Sequence, residues 1–230
     1  MGLPMAKNVV QKCGLPVLGY DVVQQQMDAF REAGGIPVSD PAEIYKACDV
    51  ILQILPTHPI IRNSVEQAIQ YGKPGNVIVD LSSTAPDIIL ELYQQAKDAG
   101  MFLLDSPVSG GNPMAIAGTL AIMTGGDKEA FDKVKPVLAC MGSPVYTGGP
   151  SLIQEIRSAP KAHAPARHCS SASSASPASA PSAVIVIRVP APMDRESTPS
   201  RLLALTLLSP YTTRTTLVKR LAVWMNRAAV

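Results

Sequence analysis

Met101-Phe102-Leu103-Leu104-Asp105-Ser106-Pro107-Val108-Ser109-Gly110-Gly111 decides how the chain is read. The apolar run from Met101 to Leu104 predicts a buried strand that ends at Asp105. Pro107 stops a regular continuation, and the glycine pair permits backbone conformations that other residues resist. A serine hydroxyl beside two glycines places a side-chain donor next to unshielded backbone N–H groups, which is a plausible cradle for a carboxylate. Taken alone, the same residues describe an ordinary tight turn better. The choice depends on what surrounds them.

Upstream, short apolar runs alternate with helical stretches. Strands are expected at 16–20, 36–38, 50–55 and 76–81, and helices at 4–13, 24–33, 59–71 and 86–99, with a short helix started by Ser39-Asp40-Pro41. Gly14, Gly34-Gly35, Gly72 and Gly100 close these helices. Strands alternating with helices of this length predict parallel strands joined by crossover helices. Val50-Ile51-Leu52 and Val77-Ile78-Val79 are apolar throughout, as strands covered on both faces require. After Gly111 the sequence predicts a strand at 119–124, a helix at 128–140 capped by Asp127, and a last short strand at 144–146.

The second part of the chain differs in kind. Of its 230 residues, 1–157 carry 11 Lys/Arg and 16 Asp/Glu, whereas 158–230 carry 9 and 2. Apart from Lys161, His163, Arg167, His168 and Cys169, every residue from Ser158 to Ala183 is Ser, Ala or Pro. Such a stretch buries too little apolar surface to offset its ordering entropy, so it is expected to be disordered. Three segments follow: a folded unit at 1–150, a low-complexity linker at 151–183, and a basic tail at 184–230 with an apolar patch at Val184–Val189. Leu217, Leu221, Trp224 and Met225 share one helical face, compatible with a partner or membrane-surface helix, although chance explains so short a pattern better. Cys13, Cys48, Cys140 and Cys169 show neither paired nor metal-like spacing, which suits a reducing compartment. His163 and His168-Cys169 lack a closing ligand, so no metal is expected. No apolar run reaches membrane-spanning length, and no base-reading motif accompanies the basic tail.

Four short motifs and one acidic residue carry a family resemblance. Gly2-Leu3-Pro4-Met5-Ala6-Lys7-Asn8 resembles the second half of the phosphate-binding turn of the β-hydroxyacid dehydrogenases, the family of 3-hydroxyisobutyrate dehydrogenase related to 6-phosphogluconate dehydrogenase. Leu55-Pro56 is similar to the family's Leu-Pro after a strand. Asp80-Leu81-Ser82-Ser83-Thr84-Ala85-Pro86 resembles its Asp-x-Ser-Thr-x-x-Pro, and 105–111 its Asp-x-Pro-Val-Ser-Gly-Gly loop. Asp21, at the end of the strand that follows the Gly2 helix, stands where an acid accepts hydrogen bonds from the adenosine ribose. A helix-capping or turn role for Asp21, and capping roles for Ser82 and Ser83, remain open.

The resemblance implies a Rossmann-like, doubly wound α/β domain with a mainly parallel sheet, lacking its first strand and followed by a largely disordered C-terminal extension. It implies cofactor contacts at Gly2, Asp21, Leu55, Pro56 and Ser83, and substrate contacts at Ser82, Ser109, Gly110 and Gly111. Val22-Val23-Gln24 offers no cation for a 2′-phosphate, so NAD is expected in preference to NADP. The expected partner is a small hydroxy acid, with no specific nucleic acid and no membrane span, and the location is cytoplasmic, or mitochondrial if a targeting segment precedes Met1.

The family's catalytic lysine sits on a helix after the last strand. An ungapped match places Arg157 there, and a guanidinium stays protonated at any working pH, which makes it a poor proton shuttle. The family's helical domain and the oligomer it builds are expected to be lost. Weak or absent turnover is therefore expected, and three alternatives stand beside it: a non-catalytic NAD(P)-binding pseudoenzyme, a mis-spliced or frameshifted fragment, and an aggregating chain with exposed sheet edges.

Overall fold

The computed structural model describes residues 1–150 and 183–187. Most of the expected linker, the tail beyond residue 187, and the individual candidates Arg157, His163, His168 and Cys169 lie outside the described residues.

The chain opens with α1 (Gly2–Lys12), whose first turn tolerates Pro4 because the early helical N–H groups have no partner within the helix. Then come β1 (Val17–Asp21), α2 (Gln24–Glu32), β2 (Ile36–Pro37), α3 (Pro41–Ala47), β3 (Val50–Gln53) and α4 (His58–Tyr71). They are followed by β4 (Val77–Asp80), α5 (Pro86–Asp98), β5 (Phe102–Asp105), β6 (Val108–Ser109) and α6 (Gly111–Ala117). The remaining elements are β7 (Leu120–Gly125), α7 (Lys128–Leu138), β8 (Gly142–Gly148) and β9 (Ala183–Ile187).

One sheet holds every strand among the described residues, in the order β2-β1-β9-β3-β4-β5-β7-β6, with β8 paired to β7. β1 pairs with β2, β3 with β4, β4 with β5, and β7 with β8, all parallel; β6 and β5 meet β7 antiparallel. The period of two along each strand sorts the core into two layers. Val50, Leu52, Val77, Val79 and Leu104 face α1, α2 and α7, where they meet Met5, Val9, Phe30, Phe131 and Val134. Ile51, Ile78 and Leu103 face α3, α4 and α5, where they meet Ile44, Ile61, Val65, Ile89 and Leu92. All four residues of β3 and of β4 are buried, so the apolar runs do mark strands covered on both sides. Each such Ile or Leu stabilises the fold by about 1.5–3 kcal/mol on burial.

Four findings differ from the sequence reading. First, the chain after Pro107 makes more than a turn: β6 pairs with β7, and α6 starts at Gly111. Gly-Gly-Asn-Pro reads as turn chemistry, yet Pro113 sits in a helical first turn, where its missing N–H costs nothing. Second, the last strand runs over 142–148, not only 144–146. Third, Asp127 occupies the N-cap of α7 without a side-chain cap bond; its Oδ2 instead accepts a hydrogen bond from Tyr93 Oη at 2.9 Å, tying α5 to α7. Asp40 does cap α3, accepting from Ala42 N at 2.8 Å.

The fourth concerns the middle of the sheet. The gap expected between β1 and β3 is filled by β9, which runs antiparallel to both neighbours. The sheet edges that a missing first strand would expose are covered here by β9. Residues assigned by sequence to the linker's last position and the start of the tail complete the sheet instead.

Candidate functional site

In an open parallel sheet, ligands bind outside the carboxyl ends of the strands. Here those ends belong to β1, β3, β4 and β5, and every candidate from the sequence among the described residues except Gly2 lies on or just beyond them. β9 stands between β1 and β3. Asp21 and Asp105 are thus four strand spacings apart, about 19 Å at a typical inter-strand distance. That is the length scale of an extended dinucleotide with a small substrate beyond it.

Asp21 is the last residue of β1 and is half-buried. Its Oδ1 accepts a hydrogen bond from Val23 N at 2.8 Å, which fixes the carboxylate at the sheet edge. Burial pushes its carboxyl above the ordinary value, and the Val23 N–H and the positive amino terminus pull it back. The turn reading and the binding reading of Asp21 are compatible, because one carboxylate has acceptor sites for both. Val22 beside it is exposed and apolar.

Leu55 is buried while Pro56 is exposed. Leu55 N donates to Ser82 Oγ at 2.9 Å, so the loops after β3 and β4 are braced against each other. Ser82 is buried and Ser83 exposed. Beneath them Asp80 accepts hydrogen bonds from Ser82 N, at 3.1 Å, and from Thr84 Oγ1. Burial pushes the Asp80 carboxyl up, against these hydrogen bonds. Gln53, Asp80 and Asp105 lie in register on adjacent strands and are all buried, forming a polar row under the crevice.

The loop after β5 is built on a buried hydroxyl pair, Ser106 Oγ to Thr124 Oγ1 at 3.2 Å. Ser109 is exposed and in register with Ala121 of β7. Gly110 has φ 134° and Gly111 φ 65°, conformations that L side chains rarely adopt. A Cβ on Gly110 would lie 2.6 Å from Met114 Sδ and 2.7 Å from Met114 Cβ. The glycine pair is thus required where it stands, directly after Ser109 in the chain.

Gly2 is buried at the start of α1, whose free N–H groups and positive dipole end favour an anion. What locates α1 is Asn8, whose importance the sequence reading did not identify. Asn8 Nδ2 lies 2.8 Å from Ala115 O, 3.1 Å from Pro4 O and 3.3 Å from Ile116 O, stapling α1 to α6. Lys12 Nζ donates to Cys140 O at 3.2 Å further along the same helix. Gly118, at φ 68°, ends α6 beneath these two side chains; a Cβ there would lie 2.6 Å from Asn8 Oδ1 and collide with Lys12 Nζ. Asn8 was visible within the Pro-Met-Ala-Lys-Asn motif, but its acceptors on α6 are backbone carbonyls from a distant part of the chain, which no pattern announces.

The comparisons with known proteins agree with this geometry. A family described as the NAD binding domain of 6-phosphogluconate dehydrogenase matches residues 1–149. The chain belongs to that family. Among its curated relatives are an NAD-dependent L-serine dehydrogenase of Pseudomonas aeruginosa, 32% identical over 153 residues, and the human mitochondrial 3-hydroxyisobutyrate dehydrogenase, 36% identical over 155 residues. These alignments cover 65% of this chain but 51% and 45% of the relatives, so the chain spans about half the length of the curated proteins it matches. A 3-hydroxyisobutyrate dehydrogenase of Mycobacterium tuberculosis, solved with L-serine, superposes with a TM-score of 0.65 at 30% identity, covering 68% of this chain and 54% of that one.

The residues at the crevice fit the dinucleotide that this NAD(P)-binding domain is built for. The Asp21 carboxylate suits ribose hydroxyls, the N-terminus of α1 suits phosphate, and the exposed Pro56 offers an apolar wall. Among the described residues, no group of His, Cys, Asp and Glu is placed to hold a metal, and no helix is long and apolar enough to cross a membrane. Among the described residues, Cys13, Cys48 and Cys140 form no disulfide with one another.

Proposed function

We propose that the chain binds NAD along the carboxyl edge of its sheet and a short hydroxy acid against Ser109, Gly110 and Gly111, as a hydroxyacid oxidoreductase of the 3-hydroxyisobutyrate type. The observation that carries this reading is the order of the strand ends: Asp21, then Leu55-Pro56, then Ser82-Ser83, then the Ser109-Gly110-Gly111 loop. When bound, the nicotinamide supplies hydride transfer. The chain's own residues bind and orient. Asp21 accepts from the ribose hydroxyls, and the absence of Lys or Arg in Val22-Val23-Gln24 disfavours a 2′-phosphate. Gly2 and the first turn of α1 donate N–H groups to phosphate. Leu55, Pro56 and Ser83 line the nicotinamide side. Ser82 acts through its brace to Leu55, which shapes that wall. Ser109 Oγ and the two glycine N–H groups hold the substrate carboxylate and so fix the carbon that reacts.

A second reading, cofactor binding with little turnover, is favoured by two observations. An ungapped continuation of the sequence match puts Arg157 at the position expected for the family's lysine, and a guanidinium does not exchange its proton at working pH. β9 runs antiparallel, with its amino-terminal residue, Ala183, in register with Asp21. It therefore does not lead into α1, and phosphate contacts fall to the helix N-terminus itself.

Fluorescence titration with NADH and NADPH, followed by assays with 3-hydroxyisobutyrate, L-serine, L-threonate and glycerate, separates the readings. NADH binding with turnover of one acid supports the first, NADH binding alone supports the second, and failure to bind either nucleotide refutes both.

A further inference from the structure

The bonding of β9 is lopsided. Along β1 all five of its residues are in register, from Val17 opposite Ile187 to Asp21 opposite Ala183. Along β3, Val50 and Ile187 are the only registered pair among the described residues. β9 is thus in register along the whole of β1 but lies beside β3 with a single registered pair among the described residues, although it sits in the middle of the sheet. Its sequence, Ala183-Val184-Ile185-Val186-Ile187, is uncharged and β-branched apart from Ala183, the composition that suits a pleated central strand.

β1 and β3 do not pair with each other. β1 is bonded in parallel to β2, and β3 in parallel to β4, so two parallel blocks meet only through β9. Each block turns an inner row of backbone N–H and C=O groups toward the slot. Such a row pairs with any extended segment of suitable composition, because main-chain bonding gives the affinity and alternate side chains give the selectivity. The antiparallel direction is informative as well. Every neighbouring crossover in this region is parallel, whereas β9 is reached only by the long stretch of chain between Gly148 and Ala183. The local chain does not dictate its entry; the slot does.

We propose that the slot between β1 and β3 is a strand-acceptor site, and that residues 183–187 of the same chain are its exchangeable occupant. The site takes an extended, uncharged, β-branched segment of about five residues, the length of β1. Because so little of β9 is locked to β3, it leaves the slot at lower cost than the unfolding of β3, β4 and β5, whose bonds to one another it does not share.

The test uses the full chain and a fluorescein-labelled peptide of residues 181–189, Pro-Ser-Ala-Val-Ile-Val-Ile-Arg-Val. A control peptide carries Ile185→Pro, which removes one N–H and cannot sit in a central strand. In hydrogen–deuterium exchange without peptide, amides of 183–187 are expected to exchange at least tenfold more slowly than in the free peptide, yet faster than those of 77–80. Excess peptide is expected to bind saturably, to lower the protection of 183–187 at least tenfold, and to leave 50–53 and 77–80 unchanged. A concentration-dependent dimer that the peptide dissolves supports the same slot filled by a second copy. Three results overturn the proposal: 183–187 exchanging at the free-peptide rate in the intact chain, 183–187 opening only together with 77–80, or the peptide binding no better than its Ile185→Pro control. None of these measurements depends on nucleotide binding.

Discussion

Asn8→Ala and Gly118→Ala, made singly and together, test whether α1 and α6 are held in position by one side chain. Asn8→Ala removes the donor that lies 2.8 Å from the buried carbonyl of Ala115. Because that acceptor is left unsatisfied away from water, the substitution is expected to cost about 2 kcal/mol. Gly118→Ala costs about 1–2 kcal/mol for placing a side chain at φ 68°. It also forces Asn8 Oδ1 away from the new methyl, which disturbs the same staple. Lys12 moves with little loss, since its head is the end of a flexible side chain. The expected total for Gly118→Ala is therefore about 3 kcal/mol. In the double variant the staple is already gone, and only the backbone strain adds, giving about 3.5 kcal/mol where independent effects would give about 5. Urea melts followed by circular dichroism at 222 nm measure all four stabilities. At this chain length each kcal/mol also lowers Tm by roughly 2–4 °C, so heating provides an independent check. Additive costs within about 0.3 kcal/mol would refute the shared staple.

Three further outcomes are expected. Asp21→Ala is expected to weaken NADH binding by about 10–100-fold, the worth of one to two charge-assisted hydrogen bonds, in a fluorescence titration; unchanged affinity would remove Asp21 from the cofactor site. Gly110→Ala places a methyl against Met114 and strains the backbone, so calorimetric binding of 3-hydroxyisobutyrate to the NADH complex is expected to weaken at least about tenfold. Equal affinity would show that the loop is not a carboxylate cradle. Asp80→Asn tests the buried polar row. Because burial raises the Asp80 carboxyl in the folded protein, the neutral form is the one that favours folding. That contribution is complete at low pH and is lost as pH rises through the raised folded value. The stability of Asp80→Asn relative to the parent is expected to increase from pH 4 to pH 7 in urea melts, and a difference that is flat or shrinks contradicts the assignment.

The parallel half of the fold was legible because its signals are local. Val50-Ile51-Leu52 and Val77-Ile78-Val79 can only be strands covered twice, and the glycines and prolines that separate elements act within a few residues of themselves. The strand-end candidates followed from the same logic: Asp21, Ser82-Ser83 and Ser109-Gly110-Gly111 are polar or glycine residues placed where apolar runs stop. α6 was not legible because Gly110-Gly111-Asn112-Pro113 favours a turn locally, while β7 and Asn8, both supplied by other parts of the chain, favour the helix. The Asn8 staple and the Ser82 brace to Leu55 each join a side chain to a distant backbone atom, and backbone atoms carry no sequence identity. The role of Val184–Ile187 was hidden for a further reason. An apolar run flanked by Ser, Ala and Pro shows its preference for extended backbone, but not which of several sheet edges it meets.

The position of β9 has a consequence for the order of events during synthesis. Its two neighbours, β1 and β3, are complete by Gln53, yet β9 is not finished until Ile187. At a typical elongation rate of about 5–20 residues per second, the ribosome needs roughly 7–30 s to deliver the strand that joins them. Over that interval both inner ladders are on offer to any extended segment nearby, including the β1 or β3 of another nascent copy. Contacts across so long a sequence separation also form slowly once the chain is released. Folding yield is therefore set by a race between the tail and its competitors, and slower translation before residue 183 lengthens the odds against the native sheet.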